Sequence, residues 1–233
     1  MLSENNFKVY YQPIWNLKNK KLLGYEALIR NGSVDIGRLF REASKLGIID
    51  QLDVASFNSI VKAGLPPNGL LFINITASGL PFLSPELARN LTMERMVLEF
   101  TEYGYKNIQD LGVILEKWRN KGVKLAVDDL KPGGDQLKLA LAIKPDYIKI
   151  DRSLVNNCHL QGNKKALLEW IVALCGQLNA EVIAEGIERI EEAGFLVEMD
   201  IEYGQGYVLG RPEPAWREEN TMTVLVPLAY KIV

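Results

Sequence analysis

The chain has 233 residues, 48% of them hydrophobic and 24% charged, with a net charge of −2 and a pI near 5.7. That is enough for one large α/β barrel or two small domains, and the core needs neither disulfides nor a structural metal. The charge excludes a broad basic surface for a DNA or RNA polymer, and two cysteines exclude a disulfide framework or a zinc cluster. No run reaches the roughly 18 apolar residues that span a membrane.

The opening stretch "MLSENNFKVYYQP" lacks the basic and apolar blocks of a signal peptide, so a cytoplasmic setting is expected. Cys158 and Cys175 then read as reduced thiols. The single histidine, His159, lies in the polar stretch "NNCHLQGN", a loop or helix start.

Short apolar runs recur along the chain, each ending in polar residues. The first, "VYYQPIW", carries Gln12, and "LLGYEALIR" carries Glu26 and Arg30. A long stretch with helical periodicity, "IGRLFREASKLGIIDQLDVASFNSIVKAG", comes next. "LLFINIT" brings Asn74, and "MVLEFTE" brings Glu99 and Glu102. After the helical stretch "NIQDLGVILEKWRNKG", the strand "VKLAVDD" ends in Asp128 and Asp129. "YIKID" brings Lys149 and Asp151, and the helical "KKALLEWIVALCGQLNA" leads to "EVIAEGI" with Glu185 and, just beyond it, Glu188. The last run, "YGQGYVLG", carries Gln205. The tail, residues 221–233, is apolar and β-prone, suited to an edge strand, a packing segment or a partner contact.

Strands alternating with helices imply parallel strands covered by helices. Eight strands fit a closed (β/α)8 barrel, with an open doubly wound sheet as the alternative. In a barrel the C-terminal strand ends converge on one rim. Glu26, Asn74, Glu99, Asp128, Asp129 and Glu185 would then face each other. So many anions on a low-dielectric rim need cations beside them. Oxygen donors without histidine or cysteine favour a hard ion, Mg²⁺ or Mn²⁺. Adjacent Asp128 and Asp129 suit a pair of ions about 3.5–4 Å apart, the usual device for in-line attack of water on a phosphodiester. A single strand-end carboxylate is as readily a helix N-cap. Lys149 either pairs with Glu185 or Asp151 as a structural bridge, or helps to orient and deprotonate the water.

The segment "YYQPIWNLKNKKLLGYEALIR", with Glu26-Ala27-Leu28 after a Gln-Pro-Ile strand, resembles the EAL domain, the cyclic di-GMP phosphodiesterase family. "FINIT", "LEFTE", "AVDD", "YIKID", "IAEGIE" and "QGYVLGRPEP" follow in the same order, over about residues 7–214. The resemblance implies a single domain over 1–233, a modified TIM (β/α)8 barrel whose first strand runs antiparallel. It implies hydrolysis of cyclic di-GMP to linear pGpG with two Mg²⁺ or Mn²⁺ ions. By the same resemblance Glu26, Asn74, Glu99, Asp128 and Asp129 are metal ligands, Lys149 activates the water, and Glu185 is its acidic partner. Gln205 lies near the water or metal shell and contributes to substrate binding. Arg30 resembles a phosphate-binding arginine, while Gln12 and the Gly210-Arg211-Pro212 segment resemble parts of the ligand pocket. Glu102 resembles the anchor of the loop after the paired aspartates.

Two segments depart from the family pattern. Active members usually carry Phe-Gly-x-Gly-x-Ser after the aspartates; this chain has Leu130-Lys131-Pro132-Gly133-Gly134-Asp135. Lys131 stands where a glycine would tolerate positive φ, and Asp135 where a hydroxyl would meet Glu102. This loop is tied to dimer-coupled regulation in the family, which admits a homodimer. After Arg30 only "NGSVDIG" precedes the next helix, so one wall of the nucleotide pocket is expected to be reshaped. The alternative function is therefore a catalytically impaired EAL domain acting as a cyclic di-GMP receptor or protein-interaction module. A TIM-barrel enzyme for another phosphodiester is a third reading.

Overall fold

A computed structural model describes residues 7–32, 34–100, 108–131, 135–216 and 222. Eight strands close into a barrel in chain order. They are β1 (Lys8–Asn16), β2 (Leu22–Arg30), β3 (Leu70–Ile75), β4 (Met96–Phe100), β5 (Lys124–Leu130), β6 (Tyr147–Ile150), β7 (Glu181–Ala184) and β8 (Tyr203–Gly204). The helices are α1 (Ile36–Leu46), α2 (Ile49–Ala63), α3 (Ile108–Arg119), α4 (Gln136–Ile143), α5 (Arg152–Val155), α6 (Gly162–Leu178) and α7 (Ile190–Glu198). The first strand runs antiparallel to β2 and β8, and the pairs β3–β4, β5–β6, β6–β7 and β7–β8 are parallel. The closed barrel is found, and the open doubly wound sheet is not.

The parallel strands read as almost continuous apolar runs because both of their faces are covered. β4 and β6 are buried at every position. The long helical stretch after Arg30 folds as two helices. Gly47 takes φ +68° and ψ 27° and caps α1 with N–H bonds to Ala43 and Ser44, which ends the first helix before Ile49 starts the second.

The chain groups into two compact units. The first comprises Met1–Tyr11, Tyr25–Leu125 and Pro212–Trp216. Its core includes Leu52, Phe57, Ile60, Phe72, Phe100 and Trp118, with the Phe57 and Trp118 rings edge-on at 5.8 Å. The second comprises Gln12–Gly24, Ala126–Arg211 and Arg217–Val233. Its core includes Ile14, Trp15, Ile148, Ile150, Ile171, Ile183 and Leu196. No helix among the described residues is long and apolar enough to cross a membrane.

Candidate active site

The charged centre of the second unit is Lys149. It occupies a fully buried strand and is itself 0% exposed. A lysine is almost never buried without a partner. Its Nζ lies 2.5 Å from Glu185 Oε1 and 3.7 Å from Asp128 Oδ1. Both acids stand at strand ends that backbone bonds bring side by side: Glu185 N–H donates to Ile150 O and Asp151 N–H to Leu130 O, each at 3.2 Å. Of the two partners weighed for Lys149, the structure supplies Glu185. Asp151 instead caps α5, its carboxylate accepting from Ser153 N–H at 2.7 Å.

The register of β5 against β6 shifts between Val127 and Leu130, and within that irregularity Asp129 takes φ +54°. A non-glycine residue there is strained by roughly 1–2 kcal/mol, so the fold holds it in place. The irregularity breaks strict alternation, and Asp128 and Asp129 both contribute to one acidic group. Carboxylate oxygens of Asp128, Asp129 and Glu185 lie within 4.8 Å of one another. Burial, then the charges of Asp128 and Asp151, push Asp129 up to about 7, against the opposing pull of Lys131 and Lys149. Three acids beside one buried lysine make a site short of positive charge. Its donors are all oxygen, which fits a hard divalent cation.

In the same unit Gln205 Nε2 donates to Gln12 Oε1 at 2.9 Å, and Gln12 Nε2 donates to Gly210 O at 3.0 Å. Both glutamines are buried, so this chain of amides is fixed. The Arg211 guanidinium lies 4.3 Å from the centroid of the Tyr207 ring, a cation–π contact.

The first unit holds the other acidic positions. Glu26, in the middle of β2, is 7% exposed and accepts from Asn74 Nδ2 at 2.8 Å. Asn74 is the register partner of fully buried Glu99 across the β3–β4 ladder. With Nδ2 committed to Glu26, the carbonyl Oδ1 is the atom that Asn74 can present to a cation. Arg30 ends β2, donates from Nη1 to its neighbour's carbonyl, Ile29 O, at 2.9 Å, and lies 5.7 Å from the Tyr10 ring centroid. The turn after it is tight, with Val34 N–H bonded to Asn31 O at 3.0 Å. Arg30 borders a cavity of about 180 Å³ that Ile29, Ile36, Phe40, Ile60 and Asp53 also line. Pro212 opens the Pro212–Trp216 segment, where Glu213 and Tyr11 exchange backbone bonds of 2.7 and 3.1 Å.

The second unit thus brings Asp128, Asp129, Lys149 and Glu185 together, and the first brings Glu26 to Asn74. Glu102 and the Pro132–Gly134 loop lie outside the described residues. Sequence reasoning passed over Asp53, an acid on the buried stripe of α2 between Leu52 and Ser56. A charged residue on a mostly apolar helical face was the available signal. Burial pushes Asp53 up to about 7, although hydrogen bonds from Thr76 pull the other way.

The profile of the EAL domain family matches residues 1–212. The chain belongs to the EAL domain family. Cyclic di-GMP phosphodiesterase NbdA of Pseudomonas aeruginosa is 29% identical over 233 residues, covering 91% of this chain and 30% of that protein. BlrP1 of Klebsiella pneumoniae, solved as a complex with calcium and cyclic di-GMP, superposes with a TM-score of 0.78 at 27% identity, covering 91% of this chain and 57% of that one. An EAL domain protein of Listeria monocytogenes gives a TM-score of 0.76 at 26% identity, covering 90% of each chain. This EAL chain spans about a third of the length of the first relatives it matches. Its tripeptide Glu26-Ala27-Leu28 lies inside β2, where alternation turns Glu26 and buried Ala27 to opposite faces.

Proposed function

We propose that this EAL domain hydrolyses cyclic di-GMP to linear pGpG, in the cytoplasm, as one barrel domain spanning 1–233. The observation that carries this reading is Lys149, fully buried and ion-paired with Glu185 and Asp128. A module that only binds does not require a buried ammonium among strand-end acids. Asp128, Asp129, Glu26, Asn74 and Glu99 are the proposed ligands of two Mg²⁺ or Mn²⁺ ions, and their oxygen donors fit those ions. When bound, such ions acidify water and stabilise charge on a phosphoryl group.

The chain's own residues do the rest. Lys149, fixed by its two acids, orients the attacking water. Glu185 holds the ammonium in place and accepts from it. The water oxygen bonds to phosphorus in line as the P–O3′ bond breaks, and the water's proton ends on the departing 3′-oxygen. Arg30 and Arg211 hold phosphate oxygens through charge-assisted hydrogen bonds. Gln12 and Gln205, locked to each other and to Gly210, form a polar wall for the nucleotide. A homodimer is the assembly this reading admits; the net charge of −2 argues against a DNA or RNA polymer and is compatible with a small nucleotide held by a few donors and a metal.

A second reading rests on the loop Leu130-Lys131-Pro132, where proline fixes its own φ and restricts the residue before it. It makes the chain a non-catalytic receptor for cyclic di-GMP or a protein-interaction module. Incubating purified chain with cyclic di-GMP and Mg²⁺ or Mn²⁺ separates the two. The expected result is linear product that falls below detection in Asp128→Asn. Binding by calorimetry without product supports the receptor; neither binding nor product supports the interaction module.

A further inference from the structure

The acid passed over in the sequence binds Thr76, two positions after a proposed metal ligand. Asp53 is 1% exposed on α2, and its two carboxylate oxygens lie 3.4 and 3.3 Å from the Thr76 backbone N. The Thr76 hydroxyl donates to the same carboxylate in a short bond. Thr76 follows the last residue of β3 and stands two positions after Asn74. At this point the β3–β4 ladder has ended at the pair Ile75–Phe100. The carboxylate takes over the backbone donor that the ladder leaves behind.

The turn closes around the same group. Gly79 N–H donates to Thr76 Oγ1 at 3.1 Å, and Ser78 Oγ lies 3.0 Å from that oxygen. A Cβ at Gly79 would come within 2.1 Å of Asp53 Oδ2, so only glycine lets the turn approach the acid. The carboxylate accepts an N–H and an O–H at once. Both Thr76 donors reach Oδ2; asparagine keeps one such oxygen but removes the charge and replaces the second oxygen, 3.4 Å from Thr76 N, with an NH₂ that cannot accept.

We infer that Asp53 is a positioning residue: by clamping Thr76 it fixes the end of β3 and so holds the Asn74 amide against Glu26 with its carbonyl presented for a cation. The inference rests on the proposed function for the cation and on geometry alone for the clamp. A buried carboxylate without a cation beside it is costly, and a fold needing only a strand-end cap could use a neutral hydroxyl. Groups bonded directly to a metal ligand typically change metal affinity or activity about 10- to 100-fold when removed; Asp53 acts through Thr76, two positions beyond Asn74, so an effect at the lower end of that range is expected.

The test compares wild type with Asp53→Asn and Thr76→Ser. Calorimetry with Mn²⁺ alone should show affinity falling about 10-fold or more in Asp53→Asn. In turnover, kcat should fall while KM for cyclic di-GMP holds. Thr76→Ser keeps both donors and should keep Mn²⁺ affinity. An Asp53→Asn variant that melts at lower temperature but binds Mn²⁺ as wild type would overturn the inference and leave a purely structural cap. Should that variant fail to fold, Thr76→Val, which removes only the hydroxyl, must show the same weakened Mn²⁺ binding, and unchanged binding rejects the clamp. A second readout needs no metal: hydrogen exchange of the Asn74 side-chain amide by NMR. Exchange should quicken in Asp53→Asn, or in Thr76→Val if that takes its place, even if wild type neither binds Mn²⁺ nor hydrolyses cyclic di-GMP. In that event the proposed function fails and the clamp stands; unchanged exchange sinks the clamp itself.

Discussion

At the scale of single residues, Lys149 neutralises Glu185 and part of the charge of Asp128. The proposed function adds a second role, orienting the attacking water. Lys149→Met keeps much of the volume and removes the charge. It should lower turnover about 100-fold or more, as loss of a positioned proton-handling group does. Calorimetry should show cyclic di-GMP binding retained; turnover within a few-fold of wild type would remove the role. The identity of the residue was legible, because a lysine inside an apolar strand stands out. The residues alone left its partner between Glu185 and Asp151; the family resemblance implied Glu185, and the strand ends bring that acid to it. The cysteines behave as the sequence suggested. Both are free and buried, and burial pushes the thiols up to about 11 for Cys158 and about 12 for Cys175, which leaves them poorly nucleophilic.

At the scale of elements, strands were easier to read than the breaks between them. Apolar runs flanked by polar residues are local signals, and each of the eight runs contains a strand. The last run shrinks to the two residues of β8, because its remaining residues turn back with bonds such as Leu209 N–H to Gly206 O. The helical stretch after Arg30 reads as one because its apolar pattern continues through Gly47. The break depends on φ +68° there. Gly47→Ala forces a Cβ into that conformation and should cost about 1 kcal/mol in urea unfolding. Turnover should remain, since a Cβ at Gly47 meets no group within 4 Å among the described residues; no loss of stability would show that the helix break does not need glycine. The bend in β5 was similarly hidden. Two adjacent aspartates on a regular strand point to opposite faces, and only the register shift lets both join the acidic group.

At the scale of the whole molecule, the proposed cation site predicts a stability that depends on the ion. Asp128, Asp129 and Glu185 crowd together with Lys149 as the nearby counter-charge, so an ion that binds the folded chain stabilises it by mass action. At a hundredfold excess over Kd the gain is about 2.7 kcal/mol. The thermal midpoint should rise with Mn²⁺ in wild type and rise much less in Asp128→Asn. Equal shifts in both would place the ion elsewhere.

The sequence by itself determined the strand and helix alternation, the ordered motifs of the EAL family and the acidic character of the strand ends. These are local properties, set by periodicity and residue type along the chain. Tertiary structure alone decided that Lys149 Nζ also lies near Asp128, that Asp129 sits at positive φ, and that Asp53 reaches Thr76 across 23 positions. Each of these depends on which strand ends and helix faces meet after packing, and a one-dimensional pattern does not carry that information.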